Sequence, residues 1–184
     1  MESLFFVAIL PPVALSSEID EIRKQCSIEY QVYSALKPPV HITLIPPFKL
    51  DSVFEARLIT DLEHCRNFQS FEQELNDFDG FPPGVVFIVA DKNPGITYLH
   101  KILRVKLKKY LKTSSGSITP HITIAYRDVL QDVYERIIEV YSRRSFRASF
   151  NVDKFVLLKH NGKKWNLVKE FESRPQEQQY TMNF

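Results

Sequence analysis

The sequence predicts an α+β fold made by duplication. Apolar runs of strand length alternate with stretches of helical spacing, and a strand–helix–strand–helix order occurs twice, displaced by about 80 residues. Each copy carries the same tripeptide, His-Ile-Thr, in its second strand. The 184 residues suffice for one large domain or two small lobes.

Taken in order, residues 4–10 form an apolar run stopped by Pro11 and Pro12, which cannot donate to a strand ladder. Ser17 with Asp20 reads as a capping box, followed by Ile19, Ile22 and Cys26 at helical spacing. Pro38-Pro39 and Pro46-Pro47 bracket a short second strand with Val40, Ile42 and Leu44 on one side. Ser52 with Glu55 is a second capping box, ahead of Leu58, Ile59, Leu62 and Cys65. Extended segments at 71–78 and 85–90 flank the turn-forming Gly80-Phe81-Pro82-Pro83-Gly84. Leu99, Ile102, Leu103, Leu107, Tyr110 and Leu111 make a helical stripe, and residues 118–126 read as a strand. Asp128 is the expected N-cap of a helix carrying Leu130, Val133, Ile137 and Tyr141. Strands at 146–152, 155–159 and 165–171 follow, with the hairpin signal Asn161-Gly162 between the last two. Trp165 is expected in the core. The order of strands within the sheets does not follow from these patterns.

Composition narrows the chemistry. The five glycines, at positions 80, 84, 95, 116 and 162, spell neither G-x-G-x-x-G nor G-x-x-x-x-G-K-[ST], so phosphate must be held by side chains rather than by a glycine-rich loop. A net charge of +2 gives no strong overall field, and any nucleic-acid contact must come from local patches. Cys26 and Cys65 form no C-x-x-C and no disulfide framework, which points to a reducing, cytoplasmic setting. The apolar stretch at 4–15 is too short to span a bilayer, and it follows Glu2 rather than a basic segment, unlike a signal peptide.

The motifs lie in Pro39-Val40-His41-Ile42-Thr43-Leu44-Ile45 and Thr119-Pro120-His121-Ile122-Thr123-Ile124-Ala125. Alternate side chains of a strand share a face, so His41 and Thr43 point away from Val40, Ile42 and Leu44. The same parity separates His121 and Thr123 from Ile122 and Ile124. Two such polar faces meeting across a cleft suit a phosphodiester. Histidine either takes or gives a proton near neutral pH, and threonine hydroxyls donate to non-bridging oxygens. A lone His-x-Thr means little; two copies at the repeat offset carry the argument. His64, His100 and His160 lack this context and read as surface or helix-face residues.

Paired H-x-T motifs in a duplicated α+β chain of this length resemble the 2H phosphoesterase superfamily, and within it the bacterial 2′-5′ RNA ligase / RNA 2′,3′-cyclic phosphodiesterase family. The opening Leu4-Phe5-Phe6-Val7-Ala8-Ile9 resembles the first strand of that family, and the likeness runs through most of the chain. The resemblance implies a single bilobal domain over residues 1–184: two antiparallel sheets with outer helices around a central cleft, related by a pseudo-two-fold axis. It further implies metal-independent and cofactor-free opening of 2′,3′-cyclic phosphates to 2′-phosphates, with 2′-5′ ligation as the reverse reaction. His41 would then be the general acid at the departing 3′ oxygen and His121 the base that activates water, with Thr43 and Thr123 holding the phosphate. The implied partner is an RNA end or nucleotide bearing a cyclic phosphate, bound by a monomer without metal or membrane.

The residues leave alternatives open. ADP-ribose cyclic phosphate or a 2′-5′-linked oligonucleotide would meet the same motifs, and a non-catalytic nucleotide-binding module needs only the cleft. A metallohydrolase is disfavoured, because two histidines fall short of the usual three protein ligands. Members of the family often place a basic residue five positions after the second motif histidine, where this chain has Tyr126 followed by Arg127. If the strand continues, Arg127 shares the His121 face and pairs with phosphate; otherwise it is an exposed arginine ahead of a helix. Lys101, Arg104, Lys106, Lys108, Lys109 and Lys112 make either an RNA-tracking patch or a solvated helix face. Phe48 and Tyr126 either stack on a base or pack as cleft wall.

Overall fold

A computed structural model describes residues 2–112 and 116–175. Among the described residues, two four-stranded antiparallel sheets and four α-helices form the α+β architecture. Strand β1 (Glu2–Ile9) leads through Pro11-Pro12 into helix α1 (Val13–Tyr30). Strand β2 (Ile42–Asp51) and helix α2 (Glu55–Glu63) follow. The hairpin β3 (Phe71–Phe81) and β4 (Val85–Ala90) precedes helix α3 (Pro94–Leu107), which Asn93 caps by accepting from the Ile96 N–H at 2.9 Å. Strand β5 (His121–Ala125), helix α4 (Gln131–Tyr141) and strands β6 (Arg147–Val152), β7 (Lys154–His160) and β8 (Trp165–Glu172) complete the described fold.

The sheet orders are β2-β1-β7-β8 and β5-β4-β3-β6. Each motif strand, β2 or β5, is therefore an edge strand beside the first strand of its own repeat. The halves of the sequence are not the halves of the fold. Strand β3 comes from the first half yet joins β4 and β6, whereas β7 and β8 return to β1. The helices cross over as well: α1 packs on β5 and α3 packs on β2. One continuous apolar core, from Phe5, Ile42 and Leu44 to Ile122, Ile124 and Ile137, runs through both layers.

Several local expectations change. The second strand does not stop at Pro46-Pro47 but runs on to Asp51. Phe5 faces Phe48 and Val7 faces Ile45, so the two prolines oppose Phe6 alone, in a bulge. Proline is tolerated there because an edge strand needs no donor on its outer side. Helix α1 starts earlier than Ser17, after Pro12, and has no side-chain cap; Asp20 lies inside it and pairs with Arg23 at 3.2 Å. Asp51 rather than Ser52 caps the turn before α2, accepting from the Val53 N–H at 3.1 Å. Asp128 does not cap α4, whose N-cap is Leu130; its Oδ2 accepts instead from the N–H groups of Tyr33 and Ser34 at 2.7 and 3.0 Å, tying the two repeats together. The Asn161-Gly162 hairpin forms as expected, with Gly162 at φ 92°.

Candidate active site

The two motif strands come together edge against edge. In both, the parity expected from the sequence holds. Val40, Ile42, Leu44, Ile122 and Ile124 are buried, whereas His41, Thr43, His121 and Thr123 are only partly covered. Register places Thr43 opposite Ala8 of β1 and Thr123 opposite Phe87 of β4.

The histidines repeat each other in detail. Nδ1 of His41 lies 2.7 Å from the Pro39 carbonyl, and Nδ1 of His121 lies 2.7 Å from the Thr119 carbonyl, in each case two residues back. A carbonyl only accepts, so both Nδ1 atoms carry hydrogen and each neutral ring keeps its Nε2 lone pair. Each ring also rests on a phenylalanine of the neighbouring strand. Phe6 lies 4.9 Å from His41 at 53°, and Phe87 lies 4.9 Å from His121 at 50°. A second aromatic ring backs each pair: Trp165 stands edge-on to Phe6 at 4.5 Å, and Phe81 lies 4.4 Å from Phe87. Strand β1 or β4 thus supplies a hydrophobic floor that fixes the imidazole plane.

Burial lowers the proton affinity of both rings. It pushes His41 down to about 4, against the opposing hydrogen bond to Pro39 and with help from the charges of Arg23 and His121. His121 is lowered by burial too, against its bond to Thr119. Both imidazoles are therefore neutral near pH 7.

A cavity of about 150 Å³ opens here, lined among others by His41, Thr43, Thr123, Tyr126, Trp165 and Arg23. His121 stands beside it, close enough for its charge to act on His41, but is not part of the lining. Arg127 is not drawn in. Strand β5 ends at Ala125, Arg127 takes φ 74°, and its exposed side chain lies outside the cavity lining, so the condition for sharing the His121 face is not met. Trp165 is half-buried cleft wall rather than core, while Phe48 is core and Tyr126 lines the cavity. Of the remaining histidines, His100 is buried on the inner face of α3. On the basic helix, Lys106 and Lys109 pair with Asp61 of α2 at 3.9 and 2.7 Å. Among the described residues no cluster of three or more His, Cys, Asp or Glu side chains is placed to hold a metal ion. None of the described helices is long and apolar enough to cross a membrane.

A family model described as the 2′-5′ RNA ligase superfamily matches residues 11–164, which include both motifs. The chain belongs to this superfamily. Solved structures agree at the level of the fold. TT0787 of Thermus thermophilus is 19% identical, with a TM-score of 0.70 over 94% of this chain and 99% of that one. E. coli LigT complexed with 3′-AMP is 21% identical, with a TM-score of 0.67 over 94% of this chain and 99% of that one. E. coli LigT complexed with phosphate is 21% identical, with a TM-score of 0.58 over 95% of this chain and 99% of that one. No curated protein matches in sequence. Membership in the 2′-5′ RNA ligase superfamily makes this a chain of the phosphoesterase and ligase class.

One member of the cleft was not foreseen. Arg23, on α1, is 2% exposed and lines the cavity. Its Nη2 donates to the Pro38 carbonyl at 2.8 Å, just ahead of His41. The signal was present in the sequence: Arg23 falls between Ile19 and Cys26 at positions i, i+4 and i+7, a charged residue in the apolar stripe of a helix.

Proposed function

We propose that the cleft opens 2′,3′-cyclic phosphates of RNA ends or nucleotides to 2′-phosphates without a metal, with 2′-5′ ligation as the reverse reaction. The observation that carries this reading is the matched pair of histidines. Each is locked by Nδ1–H to a carbonyl and keeps Nε2 for proton transfer, beside a threonine on the same strand face. The 3′-AMP and phosphate complexes of E. coli LigT support a nucleotide phosphate in this cleft.

Water attacks phosphorus and gives its proton to Nε2 of His121. The bond from phosphorus to the 3′ oxygen breaks, and that oxygen takes a proton from His41. The products are a 2′-phosphate and a free 3′-hydroxyl, and solvent returns the two rings to their starting states. Burial disfavours the charged form of both rings, and the negative charge of the entering phosphate raises the proton affinity of the ring that must act as acid. Thr43 and Thr123 donate to the non-bridging oxygens as charge builds on them.

The test is turnover of uridine 2′,3′-cyclic phosphate and of an RNA ending in a cyclic phosphate, with EDTA throughout. His41→Ala and His121→Ala should each lower kcat by roughly 10²–10⁴-fold, the range for loss of a general acid or base. Unchanged turnover in either variant, or loss of wild-type activity on adding EDTA, would overturn the reading.

A further inference from the structure

Arg23 is an unusual residue to bury. It is the bulkiest of the fully buried side chains, and a guanidinium stays charged in a protein. A buried charge is costly unless its donors are satisfied. Arginine presents five N–H donors. Here the Pro38 carbonyl accepts one at 2.8 Å, Asp20 accepts one at 3.2 Å, and Nε has no partner among the described residues. The Asp20 carboxylate is itself 43% exposed, so it neutralises the guanidinium only partly.

The unsatisfied cation is not hidden in the core. It forms part of the wall of the cavity that His41, Thr43 and Thr123 also line, and it is the one permanently charged side chain among the lining residues. Arg127 lies outside that lining, and Lys49 of β2 is exposed beyond the Pro46-Pro47 bulge. The positive charge of the cleft therefore comes from α1, the helix that crosses from the first repeat to pack on β5.

We propose that Arg23 binds the phosphate of the substrate from the wall of the cavity, its guanidinium charge offsetting that of the anion. For its substrate this proposal rests on the cyclic-phosphate reading, but the anion site itself does not depend on turnover. A guanidinium on the cavity wall can also donate to an anionic oxygen, and such a charge-assisted bond is strong. The same guanidinium, through Pro38, holds the turn that carries His41, so the anion and the imidazole are placed by one group.

The experiment measures inorganic phosphate binding by calorimetry and kcat and KM on uridine 2′,3′-cyclic phosphate, in the wild type and in Arg23→Met, Arg23→Lys and Asp20→Asn. Arg23→Met should weaken phosphate binding at least tenfold and lower kcat/KM, and Arg23→Lys should recover part of the loss. Asp20→Asn removes the carboxylate that competes for the guanidinium and should tighten phosphate binding severalfold. A purely structural arginine would show the opposite pattern: a lower melting temperature in both Arg23 variants, with phosphate affinity unaltered and no gain in Asp20→Asn. Phosphate affinity within twofold of wild type in a folded Arg23 variant, or weaker binding in Asp20→Asn, would overturn the proposal. Should Arg23→Met not fold, Arg23→Lys and Asp20→Asn decide the matter. Arg23-dependent phosphate binding without turnover would remove the catalytic reading and leave this one; turnover indifferent to Arg23 would do the reverse.

Discussion

Replacing His41 by glutamine removes from the cleft the imidazole whose charged form the fold disfavours most. The ring is partly covered against Phe6, with Nδ1–H on the Pro39 carbonyl, and burial with the nearby Arg23 and His121 charges brings its pKa from 6.5 to about 4. Above pH 6.5 the ring is neutral both folded and unfolded, so it contributes no pH dependence. Between pH 6.5 and about 4 the unfolded chain takes up a proton that the folded chain refuses, and folding weakens as pH falls. Below about 4 both states are protonated and the loss levels off. The gap between 6.5 and about 4, at about 1.4 kcal/mol per pH unit, amounts to about 3 kcal/mol. Urea denaturation of wild type and His41→Gln at several pH values from 8 to 4 reads this directly. The carboxylates that also titrate at acid pH, such as Asp51 and Asp77, are common to both proteins and cancel in the comparison. The wild type should lose about 3 kcal/mol more than the variant across that window, and the two curves should run parallel above pH 7. Parallel curves throughout would refute the assignment of a desolvated, neutral His41.

Two further outcomes are expected. Thr43→Val with Thr123→Val keeps strand propensity and shape but deletes both hydroxyls, so kcat on a cyclic phosphate should fall by about 10²-fold or more while the melting temperature holds; unaffected kcat and KM would show that the threonines do not hold phosphate. Asp128→Ala removes the acceptor for the Tyr33 and Ser34 N–H groups and should lower the unfolding free energy by about 1–2 kcal/mol in urea titrations, with unaltered stability counting against the tie between the repeats.

Much of the motif geometry was legible before the fold was known, because strand alternation is a local property. His41 and Thr43 sit opposite Val40, Ile42 and Leu44 whatever the strand pairs with. The apolar stripes of α3 and α4 and the Asn161-Gly162 hairpin were readable for the same reason. Helix starts were less so. Ser17 and Asp128 carry good capping side chains, but Asp20, three residues after Ser17, serves Arg23, and Asp128 serves the N–H groups of Tyr33 and Ser34, more than 90 residues away. Pro46-Pro47 looked like a strand end because their neighbour on β1 was unknown; the bulge opposite Phe6 is what accommodates them. Trp165 looked like core because size and apolarity do not tell a cleft wall from an interior.

By itself the sequence showed the recurring His-Ile-Thr at an offset of 80 residues, the polar face of each motif strand, and, through its five scattered glycines, that any phosphate would have to be met by side chains. Only the tertiary structure decided which side chains meet. It put β3 into the sheet of the second repeat and returned β7 and β8 to the first. It ended β5 before Arg127 and carried Arg23 on α1 into the wall of the cleft. Periodicity records which face of an element is buried, because that depends on neighbours two to four residues away. The partner across the face depends on how distant segments pack, and no local pattern records it.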